Sequence, residues 1–333
     1  MNNLDIEKRE PILTVDNLTV DFNTDKGRVR AIDGISFEVM PGETLAIVGE
    51  SGCGKSVSSL SIMGLLPSPP GKIVDGSIKF NKRELIGLSE KEYRKVRGNE
   101  ISMIFQEPMT ALNPVLKIST QMIDVIRLHN RIGKSEAKRR AIDMLETVGI
   151  PSPEMRINEY PHQLSGGMRQ RVMIAMALSC GPDLLLADEP TTALDVTIQA
   201  QVMTEMVRLQ KKLGMAVILV THDLGVVAES CQRVAVMYCG QIIEQASVQD
   251  IFASPKHPYT QGLLKSIPVV REKKIPRLAT IEGMVPDLRD MPSGCRFADR
   301  CQFAEARCRA SSPQLSGAGT HQVACFNPLG EMQ

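Results

Sequence analysis

A glycine-rich segment near the start of the chain has the residue types and spacing that bind nucleotide phosphates. The run Gly49-Glu50-Ser51-Gly52-Cys53-Gly54-Lys55-Ser56 fits the pattern G-x-x-x-x-G-K-[ST]. In this pattern backbone N–H groups converge on phosphate oxygens, the lysine contacts the β- and γ-phosphates, and the hydroxyl ligates Mg²⁺. The apolar strand Thr44–Val48 precedes the loop, and a helix is predicted from Lys55 to about Leu66, whose positive N-terminal end adds to the site. The predicted phosphate-binding residues are Gly49, Ser51, Gly52, Cys53, Gly54, Lys55, Ser56 and Val57.

Two carboxylates and a histidine follow apolar strands later in the chain. Leu184–Ala187 is a predicted buried strand that ends in Asp188 and Glu189, and Ala216–Val220 is a predicted strand that ends near His222. Strands that alternate with helices predict a largely parallel sheet, whose ligand lies at the carboxyl ends of the strands. Carboxylates there suit phosphoryl transfer, which requires positioning and charge stabilisation. Solvated loop acids and a structural histidine are the alternatives.

A third segment, Leu164-Ser165-Gly166-Gly167-Met168, lies between the glycine-rich loop and the acidic strand, at the start of a helix predicted over Arg169–Leu178. Helix starts bind anions, although S-G-G alone fits an ordinary helix-start turn. With the three motifs in this order, the chain resembles the ATP-binding-cassette ATPases from about Ile12 to its end. The resemblance implies an α/β fold, with a phosphate-loop core, a small antiparallel β subdomain, an inserted α-helical subdomain and a C-terminal extension.

The resemblance also implies roles for residues that act within one chain. Asp188 is expected to bind Mg²⁺ through water, Glu189 to polarise the attacking water, and His222 to contact the γ-phosphate. Gln106 resembles the glutamine that senses Mg²⁺ and the attacking water where the core passes into the helical subdomain. ATP and Mg²⁺ are the implied cofactors, with Ser56, Gln106 and Asp188 as the magnesium residues.

Other residues are implied to act across an interface or on the base. Ser165-Gly166-Gly167 is expected to close over the γ-phosphate held by a second ATPase subunit, identical or related, so that a dimer buries two nucleotides. Asp195 resembles the loop residue that crosses this interface. Phe22 is the candidate to stack on adenine; the loop predicted over Asn23–Arg30 is longer than is common in the family, and a core position is the alternative.

Composition limits the class and the location of the protein. The chain has 333 residues, of which 43% are hydrophobic, and 39 basic residues balance 38 acidic ones. A net charge of +1 argues mildly against a nucleic-acid binder. The first ten residues lack the apolar run of a secretory signal, and no apolar run approaches the roughly 18 residues that span a bilayer. We therefore expect a cytosolic protein that meets the cytoplasmic face of the inner membrane only through a partner.

Changes in residue pattern along the chain indicate its domains. Between the glycine-rich loop and the S-G-G segment the pattern becomes helical, with a helix predicted to start at an N-cap Ser135 and to stop at Gly149. After Ser247 the pattern loosens into an appended module. The predicted domains are a polar tail over 1–11, the ATPase domain over 12–246 with its helical subdomain at about 108–165, and the C-terminal module over 247–333.

Four cysteines are concentrated in the last 40 residues. Cys295, Cys301, Cys308 and Cys325 have the spacing C-x5-C-x6-C-x16-C, and in a reducing cytosol such a group indicates a metal site rather than disulfides. Closely spaced pairs typical of zinc sites are absent from this sequence, and four thiolates also hold a [4Fe–4S] cluster. The module, with its H-P-Y-T segment from His257, resembles that of dipeptide and oligopeptide importer ATPases, some of which carry such a cluster. A [4Fe–4S] cluster is the prediction; zinc and unmetallated thiols are the alternatives.

The function implied by the resemblance is ATP hydrolysis that drives uptake of dipeptides or oligopeptides across the inner membrane. The implied partners are two transmembrane permease subunits, a second ATPase subunit and an extracytoplasmic solute-binding protein, and nucleic acid is not among them. Related importers take nickel, glutathione or oligosaccharides. A non-transport ATPase in DNA repair or translation would show long insertions or two cassettes, and a metal-binding regulatory protein would show a degenerate catalytic set.

Overall fold

The computed structural model describes residues 10–106, 111–191, 196–267, 280–317 and 319–330. Strands and helices alternate along much of the chain. The strand Thr44–Val48 is confirmed at its predicted bounds. In chain order the elements are β1 (Leu13–Thr24), β2 (Gly27–Val39), β3 (Thr44–Val48), α1 (Lys55–Ile62), β4 (Gly71–Phe80), β5 (Arg83–Glu84), α2 (Glu90–Val96), β6 (Ile101–Ile104), α3 (Ile118–His129), α4 (Lys134–Thr147), α5 (Pro153–Arg156), α6 (Gly166–Leu178), β7 (Leu184–Asp188), α7 (Val196–Leu213), β8 (Ala216–Thr221), α8 (Leu224–Ser230), β9 (Arg233–Tyr238), β10 (Gln241–Ser247), α9 (Val248–Ala253), α10 (Pro258–Lys265), α11 (Ala306–Ala310) and β11 (Gln322–Val323).

These elements belong to two compact units, each assembled from separate stretches of the chain. The first unit takes the described residues within Met1–Ile12, Val39–Glu43 and Leu85–Leu219, and the second takes those within Leu13–Glu38, Thr44–Glu84 and Val220–Gln333.

Buried parallel strands form the sheet of the first unit. The strands follow the order β8-β7-β6, and β6 pairs parallel with β7, with Ile104 opposite Ala187. Every residue of β6 and β7 is buried, as expected for parallel strands that are covered on both faces. The carboxyl ends of β6 and β7 therefore lie side by side.

Helices with narrow apolar stripes make up much of the rest of the first unit. Ala137, Ala141 and Leu145 recur every four residues on α4 and are fully buried. Helix α4 packs against both α3 and α6. This packing fixes α6, which begins at the S-G-G segment, in the unit.

The helix α4 starts earlier than the sequence predicts. Its N-cap is Gly133 in extended conformation, and Ser135 lies inside the first turn, so the predicted Ser135 cap is wrong. The stop at Gly149 is confirmed, since Gly149 has a φ of +75° and donates its N–H to the carbonyl of Glu146 at 2.9 Å.

A four-stranded sheet with the order β2-β1-β4-β5 forms one part of the second unit. Its strands β1 and β4 pair antiparallel, which confirms the predicted antiparallel region. The predicted loop over Asn23–Arg30 is wrong, because β1 and β2 extend into it and leave only two residues between them. Arg28 and Arg30 on β2 form ion pairs with the buried Asp21 of β1, which holds the two strands together.

The remaining strands of the second unit follow the order β11-β10-β9-β3, with β3 parallel to β9 and Val48 opposite Val236. A single hydrophobic cluster joins these strands to side chains from the end of the chain, among them Tyr259 and Phe297. The glycine-rich loop follows β3, so the C-terminal residues pack directly beneath the element that carries the loop.

Among the residues that the structure describes, no helix combines the length and the apolar character needed to cross a membrane.

Candidate functional site

The glycine-rich loop between β3 and α1 is packed so tightly that two of its glycines have no room for a side chain. A Cβ at Gly49 would lie 2.2 Å from the carbonyl oxygen of Met237. At Gly54 the φ is +105°, and a Cβ would lie 2.8 Å from the carbonyl oxygen of Ala31. Glycine at both positions therefore lets the loop turn while it touches the neighbouring backbone.

Lys55 starts α1 and folds back over the loop. Its Nζ donates to the carbonyl oxygens of Gly49 at 2.9 Å and Glu50 at 3.1 Å, and the residue is only 6% exposed. Ser56 and Val57 follow in the first turn and are half-buried, and Ser51 and Gly52 are exposed at the top of the loop. The helix is shorter than the sequence predicts and ends at Ile62 rather than about Leu66.

Burial also shapes the chemistry of the loop cysteine. Cys53 is 3% exposed, and this desolvation raises the pKa of its thiol. A neutral thiol packed under the loop is a small apolar residue rather than a nucleophile.

Gln106 and Glu189 meet at the edge of the first unit where β6 and β7 end. The Gln106 Nε2 donates to the Glu189 Oε2 at 3.0 Å. Glu189 has a φ of +45°, a left-handed conformation that a non-glycine residue adopts at a cost of about 1–3 kcal/mol. Asp188, the residue before it, is 4% exposed at the end of β7. The carboxylate of Glu189 is thus aimed by a strained backbone and held by an amide donor.

The S-G-G segment starts α6 as predicted, and part of it is open to solvent. Ser165 is the N-cap and accepts the N–H of Met168 at 3.3 Å. Ser165 and Gly166 are exposed. From the buried face of α6, the Gln170 side chain donates to the carbonyl of Pro190, directly after Glu189. The helix is therefore tied to the acidic strand end through its own first turns.

His222 follows β8 in the second unit and has an exposed side chain. The next residue, Asp223, caps α8 by accepting the N–H groups of Gly225 at 2.9 Å and Val226 at 3.2 Å. The cap fixes the turn in which His222 lies.

Phe22 and Asp195 are the two remaining predicted residues. Phe22 is half-buried on β1, paired with Gly71, and its ring lies 3.0 Å from where a Cβ at Gly71 would be. Its contact with adenine stays a prediction. Asp195 lies outside the described residues.

The predicted [4Fe–4S] cluster is wrong. Within the described ranges, no group of three or more histidine, cysteine, aspartate or glutamate side chains could hold a metal ion, which also argues against the zinc alternative. The four cysteines line one small apolar cavity with Phe297, Phe303 and Phe326. Desolvation raises the pKa of three of these thiols, to about 11 for Cys325, so that these thiols are neutral at pH 7 in the metal-free protein. The cysteines concerned are Cys295, Cys301 and Cys325.

One feature of the loop was missed in the sequence. The carboxylate of Glu50 accepts two hydrogen bonds from Arg300, and the Glu50 N–H donates to the hydroxyl of Tyr259. The partners lie 250 and 209 positions further along the chain, so no local spacing pattern could have paired them. The H-P-Y-T segment, which contains Tyr259, indicated only the type of C-terminal module and gave no sign of a contact with the loop.

Known protein families and individual proteins are similar to this chain. A family model described as "ABC transporter" matches residues 32–192, and one described as "Oligopeptide/dipeptide transporter, C-terminal region" matches residues 243–308. The chain is 54% identical to the oligopeptide transport ATP-binding protein AppD of Bacillus subtilis (strain 168), over 95% of this chain and 96% of that protein. It is 51% identical to the dipeptide transport ATP-binding protein DppD of Haemophilus influenzae, over 96% of each.

A solved structure extends the likeness to three dimensions. It is described as the dimeric structure of a post-hydrolysis state of the ATP-binding cassette MJ0796 bound to ADP and Pi. The match has a TM-score of 0.63 and 28% identity, and covers 71% of this chain and 98% of that one. The α/β fold and the phosphate-loop core expected from the sequence are thereby confirmed.

Proposed function

This chain belongs to the ATP-binding subunits of ABC transporters, which hydrolyse ATP, and we propose that its hydrolysis drives the import of dipeptides and oligopeptides. Two relatives that match nearly its full length carry peptide transport in their names. The match of residues 243–308 to the C-terminal region of oligopeptide and dipeptide transporters supports the same substrate class.

We place the triphosphate on the glycine-rich loop. The loop ends at the N-terminus of α1, whose backbone N–H groups attract anions, and Lys55 already lies over it. The hydroxyl of Ser56 and the carboxylate of Asp188 are hard oxygen donors, the type of ligand that Mg²⁺ prefers. Magnesium would neutralise charge on the phosphates, and His222 would contact the γ-phosphate.

The observation that carries the catalytic assignment is the hydrogen bond between Gln106 and Glu189. A glutamate that polarises an attacking water needs a fixed carboxylate, and here the strained backbone and the amide donor fix it together. The amide N–H of Gln106 stabilises the ionised form of Glu189, which is the form that orients water. Displacement of Gln106 would break this hydrogen bond, so the contact can link hydrolysis to movement of the helices.

We further propose that a second cassette, identical or related, completes the site. Ser165 and Gly166 present an exposed helix start, with Gly167 half-buried behind them. This arrangement suits a surface that closes over another chain's γ-phosphate. The comparison structure is itself a dimer of cassettes bound to ADP and Pi. Asp195 is proposed to cross the same interface, and Phe22 to stack on adenine.

We propose that the movement of the helices is transmitted to membrane permeases that bind this chain. Exposed apolar residues flank the segment after Gln106: Phe105 is 39% exposed, Val115 75% and Leu116 39%. A contiguous exposed apolar patch marks an interaction surface, and we propose that these three side chains contribute to one. We propose that two permease subunits dock here, with an extracytoplasmic solute-binding protein on the other side, so that the chain sits at the cytoplasmic face of the inner membrane.

The docking surface is tested by a variant that carries both Val115→Asp and Leu116→Asp. The permeases should no longer co-purify with this variant, and the ATPase activity of the isolated chain should be kept. The matched control is Leu128→Asp, which changes a 73% exposed leucine on α3 of the same unit. Normal co-purification of the double variant would refute the docking surface.

The substrate class is tested by uptake in vesicles that contain the chain, its two permeases and its binding protein. Labelled dipeptide should accumulate only with ATP, and unlabelled peptide should compete. Uptake of nickel, glutathione or an oligosaccharide in place of peptide would overturn the peptide assignment and leave the ATPase role intact.

A further inference from the structure

Glu50, the second residue of the glycine-rich loop, is held by three separate contacts. Its N–H donates to the Tyr259 hydroxyl at 3.0 Å, and its carbonyl accepts the Lys55 ammonium at 3.1 Å. Its carboxylate accepts both terminal nitrogens of Arg300 at 2.7 and 3.0 Å. Two of the three partners come from the C-terminal part of the chain, so the conformation of the loop depends on residues far from it in sequence.

A second link holds the other side of the loop. The carbonyl of Cys53 accepts the N–H of Gly240 at 2.9 Å, in the turn between β9 and β10. The carbonyl of Cys239 in the same turn accepts a hydrogen bond from the Arg296 guanidinium, which also pairs with Asp33. Arg296 and Arg300, four residues apart, therefore brace opposite sides of one loop.

An aromatic cluster makes this brace rigid. The rings of Tyr238, Tyr259 and Phe297 contact one another with centroids 4.7 to 5.5 Å apart, and all three residues are at most 4% exposed. The guanidinium of Arg300 lies 5.8 Å from the ring centre of Tyr238 and 5.9 Å from that of Phe297. In a chain with no tryptophan and only 4% aromatic residues, this concentration beneath the loop fixes both the Tyr259 hydroxyl and the Arg300 fork.

A buried polar hub fixes the start of the helix that carries Tyr259. The Tyr259 N–H donates to the Nδ1 of His257 at 3.0 Å. The fully buried carboxylate of Glu244 accepts the N–H groups of Lys256 at 2.6 Å and His257 at 2.9 Å, and pairs with His321. Tyr259 therefore has little freedom to move away from the loop.

We propose that Tyr259 and Arg300 are positioning residues for the glycine-rich loop, and that through Glu50 they set the affinity of this chain for ATP. The inference rests on the proposed binding of the triphosphate at this loop. A phosphate-binding loop works when its backbone N–H groups point at the phosphate oxygens before the ligand arrives. Tyr259 orients the peptide unit that enters the loop, and Arg300 holds the side chain of the same residue.

The test compares ATP binding and hydrolysis in three single variants. Tyr259→Phe removes one hydroxyl, and we expect it to weaken binding of the fluorescent N-methylanthraniloyl ester of ATP about three- to tenfold, the scale of one hydrogen bond. Arg300→Ala should weaken it more, by about ten- to 100-fold, because two charged hydrogen bonds are lost. In both variants the KM for ATP should rise while kcat stays within about twofold of the wild type, since the groups proposed to act on the attacking water are untouched. The third variant, Arg309→Ala, breaks an exposed ion pair with Asp299 in the same C-terminal segment and should change neither value.

A double-mutant cycle distinguishes positioning from a general loss of structure. If Arg300 acts through Glu50, then Glu50→Gln together with Arg300→Ala should weaken ATP binding no more than Arg300→Ala alone. Fully additive effects of the two substitutions on ATP binding would overturn the proposal. An unchanged KM for ATP in Tyr259→Phe would overturn it as well. Because Tyr259→Phe keeps the ring packing, this second test holds even if Arg300→Ala fails to fold.

Lys55→Ala separates this inference from the proposed function on which it rests. Loss of ATP binding in Lys55→Ala, with normal binding in Tyr259→Phe and Arg300→Ala, would refute the positioning role alone. Normal ATP binding in Lys55→Ala would show that the loop is not the nucleotide site, and the proposed function would fail with it.

Discussion

Two glycine-containing segments each start a helix in this chain, yet they are built in opposite ways. The loop before α1 is braced on both sides and covered by Lys55, which is 6% exposed. The segment before α6 is exposed at Ser165 and Gly166. The first segment is held in place by residues of its own unit, whereas the second is exposed to solvent.

The two helix starts also differ in the partners of their first backbone N–H groups. The hydroxyl of Ser165 caps α6 by accepting a backbone N–H. The N-cap of α1 is Gly54, which has no side chain that could do the same. The first N–H groups of a helix need partners, and at α1 a phosphate can supply them. This difference fits the proposed roles, in which the first segment binds the phosphates and the second meets a nucleotide held by another chain.

The largest expected effect comes from the carboxylate at the end of β7. Glu189→Gln should bind ATP normally and lower turnover at least about 100-fold, because the amide cannot polarise the attacking water. Single-turnover hydrolysis of labelled ATP measures this, with the exposed Glu154→Gln of α5 as the control. Turnover close to that of the wild type would refute the assigned role.

Gly54→Ala tests the tight packing of the first segment. The new Cβ would lie 2.8 Å from a backbone oxygen at a φ of +105°, so we expect a loss of about 2–3 kcal/mol in the free energy of unfolding together with loss of ATP binding. Gly87→Ala is the control for φ strain alone, because a Cβ there meets nothing within 4 Å at a φ of +84°. Equal losses in both variants, measured by denaturant unfolding, would show that packing against the loop is unimportant.

Ser165→Arg tests the outward surface of the second segment. A large charged side chain there should lower turnover about tenfold, the scale of one important interface residue, while ATP affinity stays the same. Ser247→Ala removes an equivalent N-cap from α9 and controls for the loss of capping. If Ser165→Arg weakened ATP binding by the single chain, the segment would belong to the same site as the loop.

The smallest expected effect is a pH dependence that distinguishes the two regions. Burial lowers the pKa of His257, near the braced loop, to about 3. The folded protein keeps this histidine neutral, whereas the unfolded chain protonates it below its ordinary pKa of about 6.5. Stability is therefore fully present above that pH and falls as the pH drops towards 3, with a loss of about 1 kcal/mol at pH 6 from this group.

His257→Asn should reduce the difference in unfolding free energy between pH 8 and pH 6. His162→Asn, which removes an exposed histidine beside the outward segment, should leave that difference unchanged. An identical pH dependence in the wild type and His257→Asn would contradict the buried, neutral state of His257.

Local patterns predicted much of the site. The strand Thr44–Val48, the glycine loop after it and the acidic tip at Asp188 all follow from short stretches of residues, because burial and loop geometry are imposed locally. The contact between Gln106 and Glu189 follows one step later, from the pairing of neighbouring parallel strands.

Other features depend on contacts that no local pattern contains. The pairing of Arg300 with Glu50 spans 250 positions, and the strands that replace the predicted loop over Asn23–Arg30 are held by ion pairs to Asp21. The spacing of the four C-terminal cysteines indicated a shared location but carried no information on how their side chains are arranged. The cluster prediction failed there, since coordination requires at least three ligands in a suitable arrangement, and the described residues contain no such group.

The central claim, that two cassettes share each ATP, is tested most directly by the native mass of Glu189→Gln in light scattering with ATP and Mg²⁺. We predict a mass twice the 36.6 kDa of one chain, which returns to that of one chain when nucleotide is removed. The account would be contradicted if Glu189→Gln with ATP bound kept the mass of one chain while the wild-type protein hydrolysed ATP at its full rate at the same protein concentration.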